Sequence, residues 1–240
     1  TETISRIKGR MAVVIPKLAT AMRNLEHNAG GVEDGICRWL DTFFLSRIGT
    51  EMLTSQYMAL ANPDPNAKRR RRVGVVDYAC DPVSICEQAA KHAKKLCKEH
   101  FSSDLEVNII VESPGSTSDF AMDSRIRFPY VPNYLFYIMV ELLKNSARAT
   151  VETCNGDPRQ LQRRPITITV GADQSQVAIR VHDEAGGIPF SAADHVWSYL
   201  YSTAQQTKGG STFSQQGTPL AGYGVGLPLS RLYARYLGGS

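Results

Sequence analysis

The chain has 240 residues, 42% of them hydrophobic and 21% charged, with a formal net charge of +4; this is the composition of a soluble globular enzyme with room for one large domain or two modest ones. No apolar run approaches the roughly 18 residues that a membrane span needs. The five cysteines, Cys37, Cys80, Cys86, Cys97 and Cys154, are scattered without a C-x-x-C pair, which argues against zinc and a disulfide framework and for reduced, packed thiols.

Residues 10 to 61 carry apolar side chains at helical spacing, Val14, Leu18, Met22 and Leu25, then Ile36, Leu40, Phe43, Phe44, Ile48 and Met52, which predicts helices packed as a bundle. Asn28-Ala29-Gly30-Gly31 separates the first helix from the second. The segment Asn62 to Arg72 has no periodicity, contains two prolines and ends in the basic run Lys68 to Arg72, so it reads as a boundary. Without interleaved aromatic residues that run offers no base stacking, and no nucleic-acid partner is expected.

Beyond it, Asp81-Pro82 is a helix start, an N-cap followed by proline at the first helical position, and Ile85, Ala89, Ala93 and Leu96 continue one face. Glu106 to Val111, Ile166 to Val170 and Val177 to Val181 are rich in β-branched residues and predict strands; the last two pair as a hairpin around Ala172 to Ser175. A long helix runs from near Pro132 to about Thr153 and ends before Asn155-Gly156. Helices and strands in this mixed order predict a layered arrangement with a sheet covered on one face.

Three stretches of the second half suit one nucleotide site. In Glu141-Leu142-Leu143-Lys144-Asn145-Ser146-Ala147-Arg148, Glu141 and Asn145 stand four residues apart on one helix face, about 6 Å from each other. Glu141 is the candidate general base for a hydroxyl nucleophile, and Asn145 the candidate magnesium ligand, since a hard cation prefers oxygen. Lys144 and Arg148 bring positive charge near phosphates, although Lys144 also suits a surface ion pair of little worth. Asp183, closing a strand before Glu184-Ala185-Gly186-Gly187, offers a carboxylate to the amino group of adenine. In Gly222-Tyr223-Gly224-Val225-Gly226-Leu227-Pro228 the glycines let backbone N–H groups close on phosphates where a helix begins; the dinucleotide fingerprint needs a different spacing. Residues Thr203 to Leu220, rich in Gly, Ser, Thr and Gln, are the candidate lid. His27 lacks the acidic residue and proline that follow a phosphoacceptor histidine, and His92, His100, His182 and His195 have no partners at ligand spacing.

In order and spacing these stretches resemble the ATP site of the gyrase, chaperone, histidine-kinase and mismatch-repair (GHKL) superfamily. Within it, Arg38 to Leu53 and Asp77 to Gly239 resemble the mitochondrial 2-oxoacid dehydrogenase kinases, on the strings Glu141 to Glu152, Tyr201-Ser202-Thr203-Ala204 and Gly217 through Leu237. The resemblance implies an α+β protein, with a partial N-terminal helical bundle over 1–66, a linker over 67–76 and a GHKL-type α/β sandwich with a mixed sheet over 77–240. It also implies that family members continue with a helix before Thr1 and with two strands and a tail after Ser240. The expected function is transfer of phosphate from ATP, with magnesium and in some members potassium, to serine of the decarboxylase (E1) component of a 2-oxoacid dehydrogenase in the mitochondrial matrix, pyruvate dehydrogenase first and the branched-chain enzyme as the alternative. The expected partners are the lipoyl domain of the acyltransferase core and a second copy of the chain. Nucleotide contacts fall to Glu141, Asn145, Arg148, Asp183, Gly187, Ser202, Thr203, Gly222, Tyr223, Gly224, Val225, Gly226 and Leu227.

Two residues depart from the family pattern. Ala185 stands at the first of three glycine positions after the aspartate, and Tyr137 stands where pyruvate dehydrogenase kinases carry a histidine one turn before the glutamate. They motivate a competing expectation, a non-catalytic ATP-binding scaffold. An ATPase clamp of the chaperone type is a third, and the likeness of Arg38 to Leu53 to the kinases speaks against it.

Overall fold

The computed structural model describes residues 2–14, 17–18, 21–22, 34–63, 65, 71–112, 126–173, 175–193, 195–199, 201 and 224–240. They form two compact units that do not follow the order of the chain, Thr1–Asp64 with Ile188–Ser240 in one and Pro65–Gly187 in the other.

In the first unit the apolar spacing yields α1 (Glu2–Ala12) and the 28-residue α2 (Asp34–Ala61); the predicted separator at 28–31 lies outside the described residues. Leu40, Phe44 and Ile48, each four residues after the last, form the buried stripe of α2. Lys8 of α1 bridges to it, its Nζ 2.8 Å from Glu51 Oε1 and donating to Ser55 Oγ at 2.6 Å. Among the described residues after 187 this unit has two more helices. They are one short turn, α6 (Phe190–Ala193), and α7 (Gly226–Tyr236), which buries Pro228, Leu229, Ser230 and Leu232 and packs on α2. Pro228 falls in the first turn of α7, where its missing N–H would have had no intrahelical acceptor. Gly49 marks the close approach of the two helices, since a Cβ there would meet the Tyr236 hydroxyl at 3.6 Å. A polar clasp joins the same elements. The Tyr199 hydroxyl donates to Asp41 Oδ1 at 2.6 Å, its ring stacks on Phe44 at 5.4 Å, and Arg231 lies 3.8 Å from Asp41 and over the Trp197 ring.

The described residues of the second unit form two three-stranded sheets. In one, β1 (Arg72–Val73), β2 (Val76–Cys80) and β4 (Phe128–Tyr130) pair antiparallel in the order β1-β2-β4. Thus a strand lies within 67–76, a stretch whose sequence reads as linker; with two exposed residues, β1 has no alternation to betray it. The other sheet has the order β3-β5-β6, from β3 (Val107–Glu112), β5 (Ile166–Ala172) and β6 (Val177–His182). It is mixed, β3 and β5 running parallel while β5 and β6 form the predicted antiparallel hairpin with Thr167 opposite His182 and Ala172 opposite Val177.

Helices α3 (Pro82–Phe101) and α4 (Pro132–Thr153) pack on each other and cover one face of this sheet, and α5 (Pro158–Arg163) follows. The Asp81 carboxylate accepts from the Ser84 N–H at 3.2 Å, the predicted cap of α3. Ala89, Ala90 and Ala93 of α3 are buried beside Leu135, Met139, Leu143 and Ala147 of α4, and small side chains bring two helices close. Beneath them Ile166, Ile168 and Val170 of β5 are fully buried, whereas Thr167 and Thr169 point to the opposite face, where Arg180 and Ile110 are exposed. The helix α4 stops where Asn155 and Gly156 turn to positive φ and the Gly156 N–H returns to Val151 O. The protein is therefore α+β, with one sheet face covered as the sequence predicts. Among the described residues no helix is long and apolar enough to cross a membrane, and Cys80, Cys86, Cys97 and Cys154 are buried free thiols.

Candidate functional site

Helix α4 carries Glu141, Lys144, Asn145 and Arg148, and its two faces do different work. Leu143, Ala147 and Val151 face the core, while Glu141, Asn145 and Arg148 recur at the spacing of another stripe. Glu141 is 3% exposed, and a buried carboxylate needs a partner to hold its charge. Lys144 is that partner, its Nζ donating to Oε1 at 2.7 Å with its own side chain 10% exposed. The pair is interior, so Lys144 is no loose surface cation. Asn145 is exposed and its carboxamide is open to solvent. The Arg148 Nε lies 3.5 Å from Glu152 Oε1 and makes no hydrogen bond. Tyr137 is half-buried one turn before Glu141.

Asp183 follows directly on β6 and is held from two directions. The Ser146 hydroxyl donates to Oδ2 at 2.7 Å, and the Ala185 N–H donates to Oδ1 at 3.1 Å. The loop is pinned a second time, by Thr153 Oγ1 donating to the Ala185 carbonyl at 3.0 Å. Ser146 and Thr153, seven residues apart on α4, lie on one helix face. Neither stands out in the sequence as a site residue, since only the hairpin's return brings Asp183 to α4; a small hydroxyl on an otherwise apolar helix face is the available signal. Gly186 and Gly187 have φ of 96° and 77°, the left-handed region that favours glycine, whereas Ala185 is not among the residues with positive φ. Its methyl group therefore brings no backbone strain.

The glycine-rich loop is described from Gly224 onward. Ser202, Thr203, Gly222 and Tyr223 lie outside the described residues, as does the candidate lid over 203–220. Gly224 has φ of 66°, and Val225, buried, precedes Gly226 and Leu227, the first residues of α7. Val225, at the N-cap of that helix, makes no side-chain cap. These residues belong to the first unit, and Glu141, Asn145, Arg148, Asp183 and Gly187 to the second.

The donor set suits a magnesium nucleotide. Asn145 offers an exposed hard oxygen donor, and the Arg148 guanidinium, ion-paired with Glu152, brings positive charge beside it. Among the described residues no three of His, Cys, Asp and Glu converge as a metal cluster.

A family model described as mitochondrial branched-chain alpha-ketoacid dehydrogenase kinase matches residues 1–77. The mitochondrial pyruvate dehydrogenase (acetyl-transferring) kinase of Drosophila melanogaster is 35% identical over 97% of this chain and 55% of its own length. The Arabidopsis thaliana protein of that name is 36% identical over 100% of this chain and 62% of its own length, and Homo sapiens isozyme 3 is 31% identical over 99% and 57%. The chain thus spans little more than half the length of these relatives. Over that span, it is similar to the mitochondrial 2-oxoacid dehydrogenase kinases.

Proposed function

We propose that this chain forms the nucleotide-binding region and part of the helical bundle of a mitochondrial protein-serine kinase that phosphorylates the decarboxylase component of pyruvate dehydrogenase. Similarity to proteins named for that activity, across nearly all of the chain, carries the reading. Glu141 takes the proton of the substrate hydroxyl, with Lys144 holding one carboxylate oxygen. Asn145 would hold magnesium, which when bound neutralises phosphate charge, and Arg148 supplies positive charge to the phosphates. Asp183 binds the adenine amino group, and Gly187 keeps the backbone beside it clear. In this reading 77–240 is the nucleotide domain, the bundle meets the lipoyl domain, the active protein is a dimer, and potassium accompanies the phosphates.

The match of residues 1–77 to the branched-chain enzyme's model favours a second reading, in which the substrate is the branched-chain decarboxylase. ATP-dependent labelling of both purified decarboxylase components side by side, with Glu141→Gln as control, separates the two. Nucleotide binding without transfer to either component, under conditions where a relative transfers phosphate, would leave only an ATP-binding scaffold.

A further inference from the structure

We propose that Ser146 is a positioning residue for base recognition, fixing the Asp183 carboxylate so that it selects adenine; this rests on the nucleotide site of the preceding reading. The terminal torsion of an aspartate is a broad sp³–sp² rotation with no steep well to hold it. The orientation of Asp183 is therefore set by its hydrogen bonds, and among the described residues there are two of different kinds. The bond from the Ala185 N–H comes from two residues along and ties the carboxylate to its own loop. The bond from Ser146 spans 37 residues and ties it to α4, at 2.7 Å and with Ser146 only 8% exposed.

That second bond sets the register of the site. Ser146 is the neighbour of Asn145 on the same rigid helix, so its hydroxyl fixes the base-binding carboxylate relative to the groups proposed for the phosphate end. Among the described residues each oxygen takes one donor, and an ionised carboxylate has about four lone-pair positions in all. Asp183 thus keeps acceptor capacity for a ligand while offering no donor. A base edge with an exocyclic amino group satisfies it, and one with a carbonyl oxygen there meets acceptor against acceptor. Removing the serine hydroxyl frees the torsion and leaves only the local bond, which loosens this selection without touching the phosphate contacts.

The test is steady-state kinetics of the full-length kinase with ATP and with GTP, for the parent, Ser146→Ala, Ser146→Thr and Asp183→Asn. Loss of a hydrogen bond to a charged acceptor raises KM for ATP about tenfold in Ser146→Ala, lowers the preference for ATP over GTP, and leaves kcat for ATP within about threefold of the parent because the phosphate contacts remain. Ser146→Thr, which keeps the hydroxyl, retains the parent's preference. Should Ser146→Ala not fold, Ser146→Cys, whose thiol is a weak donor, supplies the same comparison. Unchanged ATP preference in the Ala or Cys variant overturns the proposal, as does equal loss for ATP and GTP, or loss in the Thr variant as well, which would mark packing rather than the hydroxyl. The Asp183→Asn arm separates the two levels. If it abolishes the preference while Ser146→Ala does not, only the role of Ser146 fails; if it keeps the preference, the adenine contact itself is wrong and both readings fall.

Discussion

Lys144 Nζ and Glu141 Oε1 lie 2.7 Å apart, one helical turn from each other on α4, with both side chains nearly out of solvent. Such a pair is self-consistent only while intact, because desolvating either charge alone is expensive. Lys144→Met should destabilise the protein by about 3 to 5 kcal/mol, the usual cost of stranding one member of a buried pair. Adding Glu141→Gln to it should recover most of that loss. Urea unfolding of the single and double variants measures both; a single variant as stable as the parent would mean that the carboxylate finds another partner.

Asn145 is exposed, so its replacement by alanine should cost at most about 0.5 kcal/mol of stability. Its proposed duty is magnesium. Asn145→Ala should therefore abolish magnesium-dependent nucleotide binding while the unfolding midpoint stays near that of the parent. Calorimetric titration of ATP with magnesium and with a chelator present gives the answer, and full ATP affinity in the variant would show the metal role to be misassigned.

How much of this was legible in the sequence depends on whether the signal was local. Helix α4 announces both ends, by Pro132 at its start and Asn155-Gly156 after its last turn, and β5 and β6 announce themselves by β-branched residues. By contrast β1 and β4 are two and three residues long, too short for any periodicity, and are held by pairing with β2. The burial of Lys144 is also hidden, since helical spacing alone gives a lysine beside an exposed asparagine the look of a solvated cation. The Ser146 to Asp183 bond is the least legible, as it exists only once a hairpin has carried a residue 37 positions away back to the helix.

The thiols offer a chemical check on the core of the second unit. Burial, then the charge of Asp81, pushes the Cys86 thiol up to about 12, and burial, then Asp77, pushes Cys80 up to about 11. Cys97 is raised by the same desolvation, and Cys154 is fully buried. Thiolate is the reactive form, so at pH 8 iodoacetamide should label Cys37, the partly exposed one, in the native protein. The remaining thiols should react only after unfolding. Mass spectrometry of the labelled peptides checks this, and native labelling of Cys86 at the rate of a small free thiol would place it outside the core.

His92 links protonation to the same helix pair. It is half-buried on α3 with its ring 6.0 Å from Phe136 of α4. Burial first, then the positive charges of Lys144 on α4 and Lys95 on its own helix, lower its affinity for a proton, against a smaller opposing effect of Glu99. The folded chain therefore binds fewer protons here than the unfolded chain once pH drops below the ordinary imidazole value of 6.5. Stability rises with pH wherever the unfolded state binds more protons. The contribution of His92 is thus fully present above that value and is lost as pH falls from it toward the lowered folded value. Thermal unfolding midpoints measured between about pH 7.5 and 5.5, a window around the free imidazole range, should fall toward acid, and His92→Gln should flatten that part of the profile. A variant with the parent's slope would assign the acid loss to other groups. Should the slope flatten, protonation of His92 adds a second positive charge near Lys144, the residue that holds the candidate base, so catalytic activity below neutrality should respond to the same substitution.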